Sequence, residues 1–181
     1  NLVADKDMTA EELKALVRRA VGVKDLSIEA ASAKSALTAS EQRFREVVQT
    51  APDAIIVADG DGRILSWNSA AERLFGYAAE EVLGRYLTIL MPERYRADHL
   101  RALERVRTTG DFRLRGKIVT MHGLHKDGHE FPIEMSLSSW VSDGRRFHCG
   151  IVRDVTAWKE AEAKLLRQQI EQQVLLDLIP A

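Results

Sequence analysis

The sequence predicts an α+β domain built on a five-stranded antiparallel sheet with helices on one face, flanked by coiled-coil-like helices at both ends. Three observations carry that expectation. From about Asp25 to Thr50 there is neither Pro nor Gly, and apolar or small residues recur at helical spacing. Between Ala54 and Val155 the pattern changes to short β-rich runs divided by Asp-Gly turns. After Thr156 the helical pattern returns and holds to the end.

Taken in order, Thr9-Ala-Glu-Glu12 has the form of a capping box ahead of Leu13, Leu16, Val17 and Val21, and Gly22 is a natural stop, so a short first helix is expected. In the next stretch Leu26, Ala30, Ala33, Leu37, Ser40, Phe44 and Val47 alternate spacings of four and three, the seam of a coiled coil. The small residues weaken that seam, and the same helix could lie on its own domain. Ala54-Ile-Ile-Val-Ala58 reads as a buried strand, Asp59-Gly-Asp-Gly62 as a tight turn, and Arg63-Ile-Leu-Ser-Trp67 as its hairpin partner. Short helices follow from Ser69 to Phe75 and from Ala78 to Leu83, closed by Gly76 and Gly84. Pro92 opens a longer helix, Glu93 to about Thr108, that ends at Gly110. Strands are expected over Phe112 to Leu124, Glu130 to Val141 and Arg145 to Val155, separated by the turns Lys126-Asp-Gly128 and Ser142-Asp-Gly144. The last helix carries Leu166, Ile170 and Val174, with Leu165, Leu175 and Leu178 beside them.

Composition narrows the function classes. The 181 residues are 45% hydrophobic and 29% charged, which is globular and excludes disordered and collagen-like chains. Lys+Arg number 26 against 27 Asp+Glu, so the global positive field that non-specific duplex binding uses is missing. With Cys149 alone there is no intrachain disulfide and no Cys-based zinc site, and a reducing cytoplasm is the natural setting. No apolar run approaches the ~20 residues needed to span a bilayer. The missing initiator Met and the ending Leu178-Ile-Pro-Ala181 suggest a piece of a longer chain.

The order of elements, together with Ala51-Pro-Asp-Ala-Ile-Ile-Val-Ala-Asp59, Ile64-Leu-Ser-Trp-Asn-Ser-Ala-Ala-Glu-Arg-Leu-Phe-Gly-Tyr77, Glu81-Val-Leu-Gly84, Leu90-Met-Pro-Glu93, Lys126-Asp-Gly-His-Glu-Phe-Pro-Ile-Glu134 and Gly150-Ile-Val-Arg-Asp-Val-Thr156, resembles the PAS sensor domain over residues 40 to 156. That implies a division into helices at 1–39 for dimerisation, a sensor domain at 40–156 and a signalling helix at 157–181. Asn68 is placed to cap the helix after the second strand. The resemblance implies that Asp154 and Thr156, where the last strand meets the exit helix, relay the signal, with Asp154 tied to the helix start by a charge-assisted hydrogen bond. Thr156 also reads simply as a helix cap.

Met91-Pro-Glu-Arg-Tyr-Arg-Ala-Asp-His99 runs in the register of the haem-PAS oxygen-sensor kinases of nitrogen-fixing bacteria, continuing through Arg105, Arg107-Thr-Thr109 and Asp127-Gly128. The resemblance implies haem b, with His99 as the proximal ligand and sole protein ligand of the iron. PAS domains without haem also carry a similar stretch, where the His packs on or caps the helix. The relatives' oxygen-binding arginine falls here on Val119. Leu114, Val119, Met135 and Leu137 would make an almost wholly apolar distal wall, suited to an uncharged ligand such as carbon monoxide or to a filled core. Light-sensing flavin relatives place their reactive Cys before the long helix, whereas Cys149 lies on the last strand.

Other constellations point elsewhere. His122, His125 and His129 cluster at a turn, but strand alternation sends positions 122 and 125 to opposite faces, which favours a solvated hairpin over zinc or copper. Arg101, Arg105, Arg107, Arg113 and Arg115 form a basic run, read as a solvated helix face paired with Glu93, Asp98 and Glu104 rather than a nucleic-acid surface. No phosphate loop, nucleophile triad or facing carboxylate pair is present, so no catalytic residues are assigned. Val174-Leu-Leu-Asp-Leu-Ile-Pro-Ala181 resembles the end of the signalling helix before class III nucleotide cyclase domains; related endings precede histidine kinases, diguanylate cyclases and phosphatases. The expected function is a homodimeric cytoplasmic sensor without catalysis of its own. It would pass a small-molecule or cofactor signal to an output domain in the same polypeptide, as a haem gas sensor or as a cofactor-free dimerisation and relay module.

Overall fold

The computed structural model describes residues 9–114 and 116–177, with side chains except at positions 17, 20–27 and 175–177. The chain divides into two units, one up to Val47 and one from Val48. Helix α1 (Ala10–Thr50) opens on the expected capping box, in which Thr9 N donates to Glu12 Oε2 at 2.8 Å and Glu12 N donates to Thr9 Oγ1 at 3.3 Å. It runs unbroken through Gly22, where the sequence suggested a stop. A glycine inside a helix costs only about 1 kcal/mol relative to alanine, and no proline or cap follows Gly22 to turn that cost into a break. Leu37, Phe44 and Val47 of the expected seam are exposed on α1, as are Leu13, Leu16 and Ile28.

The second unit holds the sheet. Strands β1 (Ala54–Asp59) and β2 (Ile64–Trp67) form the hairpin read from the sequence, and α2 (Ser69–Phe75) and α3 (Ala79–Val82) follow. A short 3₁₀ turn at Leu87–Leu90, not anticipated, leads into α4 (Glu93–Thr109). Strands β3 (Ile118–Leu124), β4 (Glu130–Ser142) and β5 (Arg145–Asp154) complete the sheet, and α5 (Thr156–Asp177) leaves it. The strand order is β2-β1-β5-β4-β3, with every pair antiparallel. The last strand therefore lies in the centre.

One strand boundary differs from expectation. Residues 112–117 alternate in polarity as a strand would, yet β3 begins only at Ile118, opposite Ser136. Lys117 N donates to Leu114 O at 3.1 Å and closes a turn there.

The core packs α2, α3 and the 3₁₀ turn against the inner face of the sheet. Ile64, Ala71 and Val82 are fully buried, and Phe75 stands between Trp67 and Phe131 at centroid distances of 5.7 and 5.6 Å. Asn68, itself fully buried, fastens three segments at once. Its Oδ1 accepts from Ile55 N and from Ala71 N, both at 2.9 Å, and its Nδ2 donates to Val48 O and Asp53 O, both at 3.0 Å. The cap expected at α2 is thus also the bolt between the end of α1 and the start of β1.

Candidate functional site

The cleft between α4 and the sheet collects most of the residues that the sequence singled out. His99 points from α4 toward the β1–β2 turn, where its Nε2 would lie 3.8 Å from a Cβ placed on Gly62 and Leu103 Cδ1 only 2.8 Å from it. A side chain at this position would displace the tip of Leu103 and would have to adopt the left-handed φ of 82° that glycine takes freely. Two cavities adjoin His99. One of about 110 Å³ is bounded by Met91, Met121, Met135 and Leu137 among others, and one of about 90 Å³ by Arg105, Phe112, Leu114 and Leu137 among others. They share Leu87, His99, Leu137 and His148.

Of the four wall residues, Leu114, Met135 and Leu137 reach this space. Val119 faces Met135 across the β3–β4 pair, on the inner side of the sheet, but borders neither cavity. His148 was missed. It sits on β5 in line with Gly150 and Val152, three alternate positions that point inward, and it is 92% buried with Nε2 lacking any hydrogen-bond partner. A polar residue in the inward register of an alternating strand was the available signal. Cys149, one position on, points to the opposite face, and burial raises its thiol pKa, which keeps it in the unreactive form.

Burial keeps both cleft imidazoles neutral. His99 is pushed below the usual histidine range first by burial and then by His148. His148 is pushed down by burial and then by Arg146, against the pull of Asp59. The unfolded chain takes up these protons as pH falls through about 6.5, while the folded chain takes them up only at lower pH. Stability therefore drops as pH falls below that value. We expect a lower urea midpoint at pH 5 than at pH 7, and a smaller difference in the double variant His99→Leu, His148→Phe; an unchanged difference would show that neither imidazole is held neutral by burial.

A bound haem is testable against these dimensions. The donor chemistry suits an iron, since His99 is a neutral imidazole and His148 Nε2 is unpartnered. The space does not suit the macrocycle: cavities of about 110 and 90 Å³ fall well below the ~300–1,000 Å³ of ordinary cofactor pockets. In this conformation the cleft has room for a small molecule only, and haem would need α4 drawn off the sheet.

The turn histidines regroup. His122 borders the cleft, with its Nδ1 3.5 Å from Tyr95 Oη, while His125, Asp127 and His129 come together with donor atoms within 4.8 Å of one another. The rings of His125 and His129 stack at 4.6 Å with 26° between planes. A metal lies in the plane of each imidazole it binds, and nearly parallel stacked rings do not aim their nitrogens at one point. The trio instead clips the hairpin: the His129 N–H first, and the His125 side chain next, hold the Asp127 carboxyl down to about 2.

Three members of the basic run pair closely with acids. Arg101 pairs with Asp98, Arg107 with Glu104 at 2.9 Å, and Arg113 with Asp111 at 2.9 Å. Arg115 lies outside the described residues, as does the Leu178-to-Ala181 end of the cyclase-like segment.

At the exit, Thr156 N donates to Asp154 Oδ1 at 2.7 Å, so Asp154 caps the start of α5. Arg153 beside it grips Asp53 through two bonds of 3.0 and 2.7 Å and lowers that carboxyl's pKa. The segment entering the sheet and the strand leaving it are thereby joined.

A five-stranded antiparallel sheet in the order 2-1-5-4-3, a helical cleft on one face and a capped exit helix define a sensory input domain. The family described as PAS fold matches residues 42–155, and the chain belongs to it. PAS modules of this kind are sensory and regulatory rather than catalytic. The sensor protein FixL of Bradyrhizobium diazoefficiens is 40% identical over 140 residues, 76% of this chain and 27% of that protein. The cell-division control histidine kinase PdhS of Brucella ovis is 29% identical over 141 residues, 76% of this chain and 13% of that protein. The chain therefore spans only a small part of these relatives. A crystal structure of a PAS domain from a Colwellia psychrerythraea protein superposes with a TM-score of 0.53 at 27% identity, over 64% of this chain and 97% of that one. Among the described residues no helix is long and apolar enough to cross a membrane.

Proposed function

We propose that this chain is the ligand-responsive PAS input module of a histidine-kinase-type signalling protein. Occupancy of the cleft beside His99 is passed through β5 to Asp154, Thr156 and α5, and onward to an output domain in the same polypeptide. The observation that carries the reading is β5 itself, which borders the cleft at His148 and caps α5 at Asp154. Kinase-type output is supported by the sensor and histidine-kinase relatives; cyclase output rests on the tail resemblance alone.

The module works as a parallel homodimer in a cytoplasmic setting, with 1–39 and 157–181 as its coupling helices around the sensor at 40–156. Leu37, Phe44 and Val47 on α1, at heptad spacing, and Leu166, Ile170 and Val174 on α5, one helical turn apart with Leu165 beside them, are exposed where a second copy would cover them. Two packings of such seams that differ by a few kcal/mol are enough for a switch, and a ligand shifts them only by its differential affinity. Sedimentation should give a dimer at tens of micromolar, weakened by removing residues 1–40 or 157–181; a monomer at that concentration would sink the dimeric mechanism.

Haem b is the second reading, favoured by the neutral His99 and by the resemblance of residues 91–99 to the haem-PAS oxygen sensors, and it requires α4 to leave its place on the sheet. His99 would hold the iron, and the cofactor would supply gas ligation. Reconstituted protein should then show a Soret band that His99→Ala removes. No band, or one unchanged in the variant, removes His99 as a haem ligand and leaves the cleft to a small molecule.

A further inference from the structure

Among the described residues two buried side-chain polar atoms have no hydrogen-bond partner, Arg105 Nε and His148 Nε2. Both residues border the same cavity of about 90 Å³. A buried polar atom left unsatisfied lowers stability, and native cores leave few of them, so two on residues that line one small space point to a ligand rather than to packing. Arg105 Nε stands 3.9 Å from Asp111 Oδ2, within ion-pair range but too far for a hydrogen bond, and Asp111 is already engaged by Arg113 Nε at 2.9 Å.

The chemistry of the two atoms names the ligand. A guanidinium only donates, and the imidazole donates from Nε2 in one of its neutral tautomers. With His148 in the tautomer that donates from Nε2, two donors, one of them on a fixed positive charge, match an acceptor that is anionic. The rest of the wall is mostly apolar, with Leu87, Val106, Phe112 and Leu137, so the anion must carry a hydrocarbon body. Arg113, the other guanidinium there, has its charge paired with Asp111, so a single negative group is the match for Arg105. Size sets the upper limit: a single aromatic ring fills a cavity of ~150 Å³, and the adjoining space of about 110 Å³ shares four wall residues with this one.

We propose that the cavity between α4 and β5 binds a compact apolar monocarboxylate of one ring or a short chain, its carboxylate held by Arg105 and His148. This rests on the reading of the cleft as the input site and gives that site its ligand class.

Calorimetric titration of the full chain with benzoate, butyrate and the uncharged benzyl alcohol tests it. Benzoate or butyrate should bind, with benzyl alcohol weaker than benzoate by about tenfold or more, the factor for losing a charge-assisted pair. Arg105→Gln and His148→Phe should each weaken the carboxylate by a similar factor, with circular dichroism unchanged. Without ligand, His148→Phe should keep or raise the thermal midpoint, since it removes an unsatisfied buried group; a purely structural imidazole would lower it. Equal affinity for benzoate and benzyl alcohol, carboxylate binding untouched in both variants, or no carboxylate binding at all would overturn the site. If the carboxylate binds as described but leaves dimerisation unchanged, the site stands and the input reading fails.

Discussion

Asn68→Ala is expected to lower the unfolding free energy by about 3–5 kcal/mol, near the upper end for a single residue. The size follows from what the amide does. It satisfies Ile55 N and Ala71 N with its oxygen and Val48 O and Asp53 O with its nitrogen, in a position with no solvent exposure. Truncation removes four hydrogen bonds and leaves buried backbone groups without water to replace them. Asn68→Asp keeps the acceptor but turns its charge on two carbonyl oxygens, so it should recover little of the loss. Urea unfolding followed by the fluorescence of buried Trp67 reads the effect, and a loss below about 1 kcal/mol would mean that the amide is not the fastening described.

Gly76→Val is expected to cost about 2–4 kcal/mol by two separable routes. Gly76 ends α2 at φ 77°, a left-handed conformation that costs an ordinary residue about 1–2 kcal/mol and a β-branched one more. A Cβ there would also stand 2.4 Å from His125 Nε2, so the ring must leave its place beside Asp127 and His129. A double-mutant cycle separates the routes: His125→Ala should relieve the crowding in Gly76→Val but not the backbone strain. If His125→Ala rescues nothing, the contact contributes nothing; if it rescues everything, the backbone strain contributes nothing.

What could be read in advance followed local chemistry. The Thr9–Glu12 box, the hairpin at Asp59–Gly62, the cap at Asn68 and the turns at Gly76 and Gly110 depend on neighbours a few residues away. Gly22 misled because a stop signal has no force when helix formers continue on both sides. Residues 112–117 misled because alternation marks a strand only where a partner strand exists, and β4 extends past Ser136 toward β5 alone. In the cleft, a familiar motif pointed to His99, and Leu114, Met135 and Leu137 followed from it. His148 and the role of Arg105 were hidden because each matters through an absent partner, a property of packing in three dimensions that no spacing records.

The central position of β5 bears on how a message leaves this domain. From His148 to Asp154 is six residues on one strand, about 20 Å at ~3.3 Å per residue, and β5 is braced by β1 on one side and β4 on the other. Hydrogen-bonded on both edges as far as Val152, and to β4 alone at Arg153 and Asp154, the strand resists bending over most of that length. On the function proposed above, a bound molecule that displaces the His148 end of this strand would act on the junction where α5 begins, and so on the angle at which the helix departs.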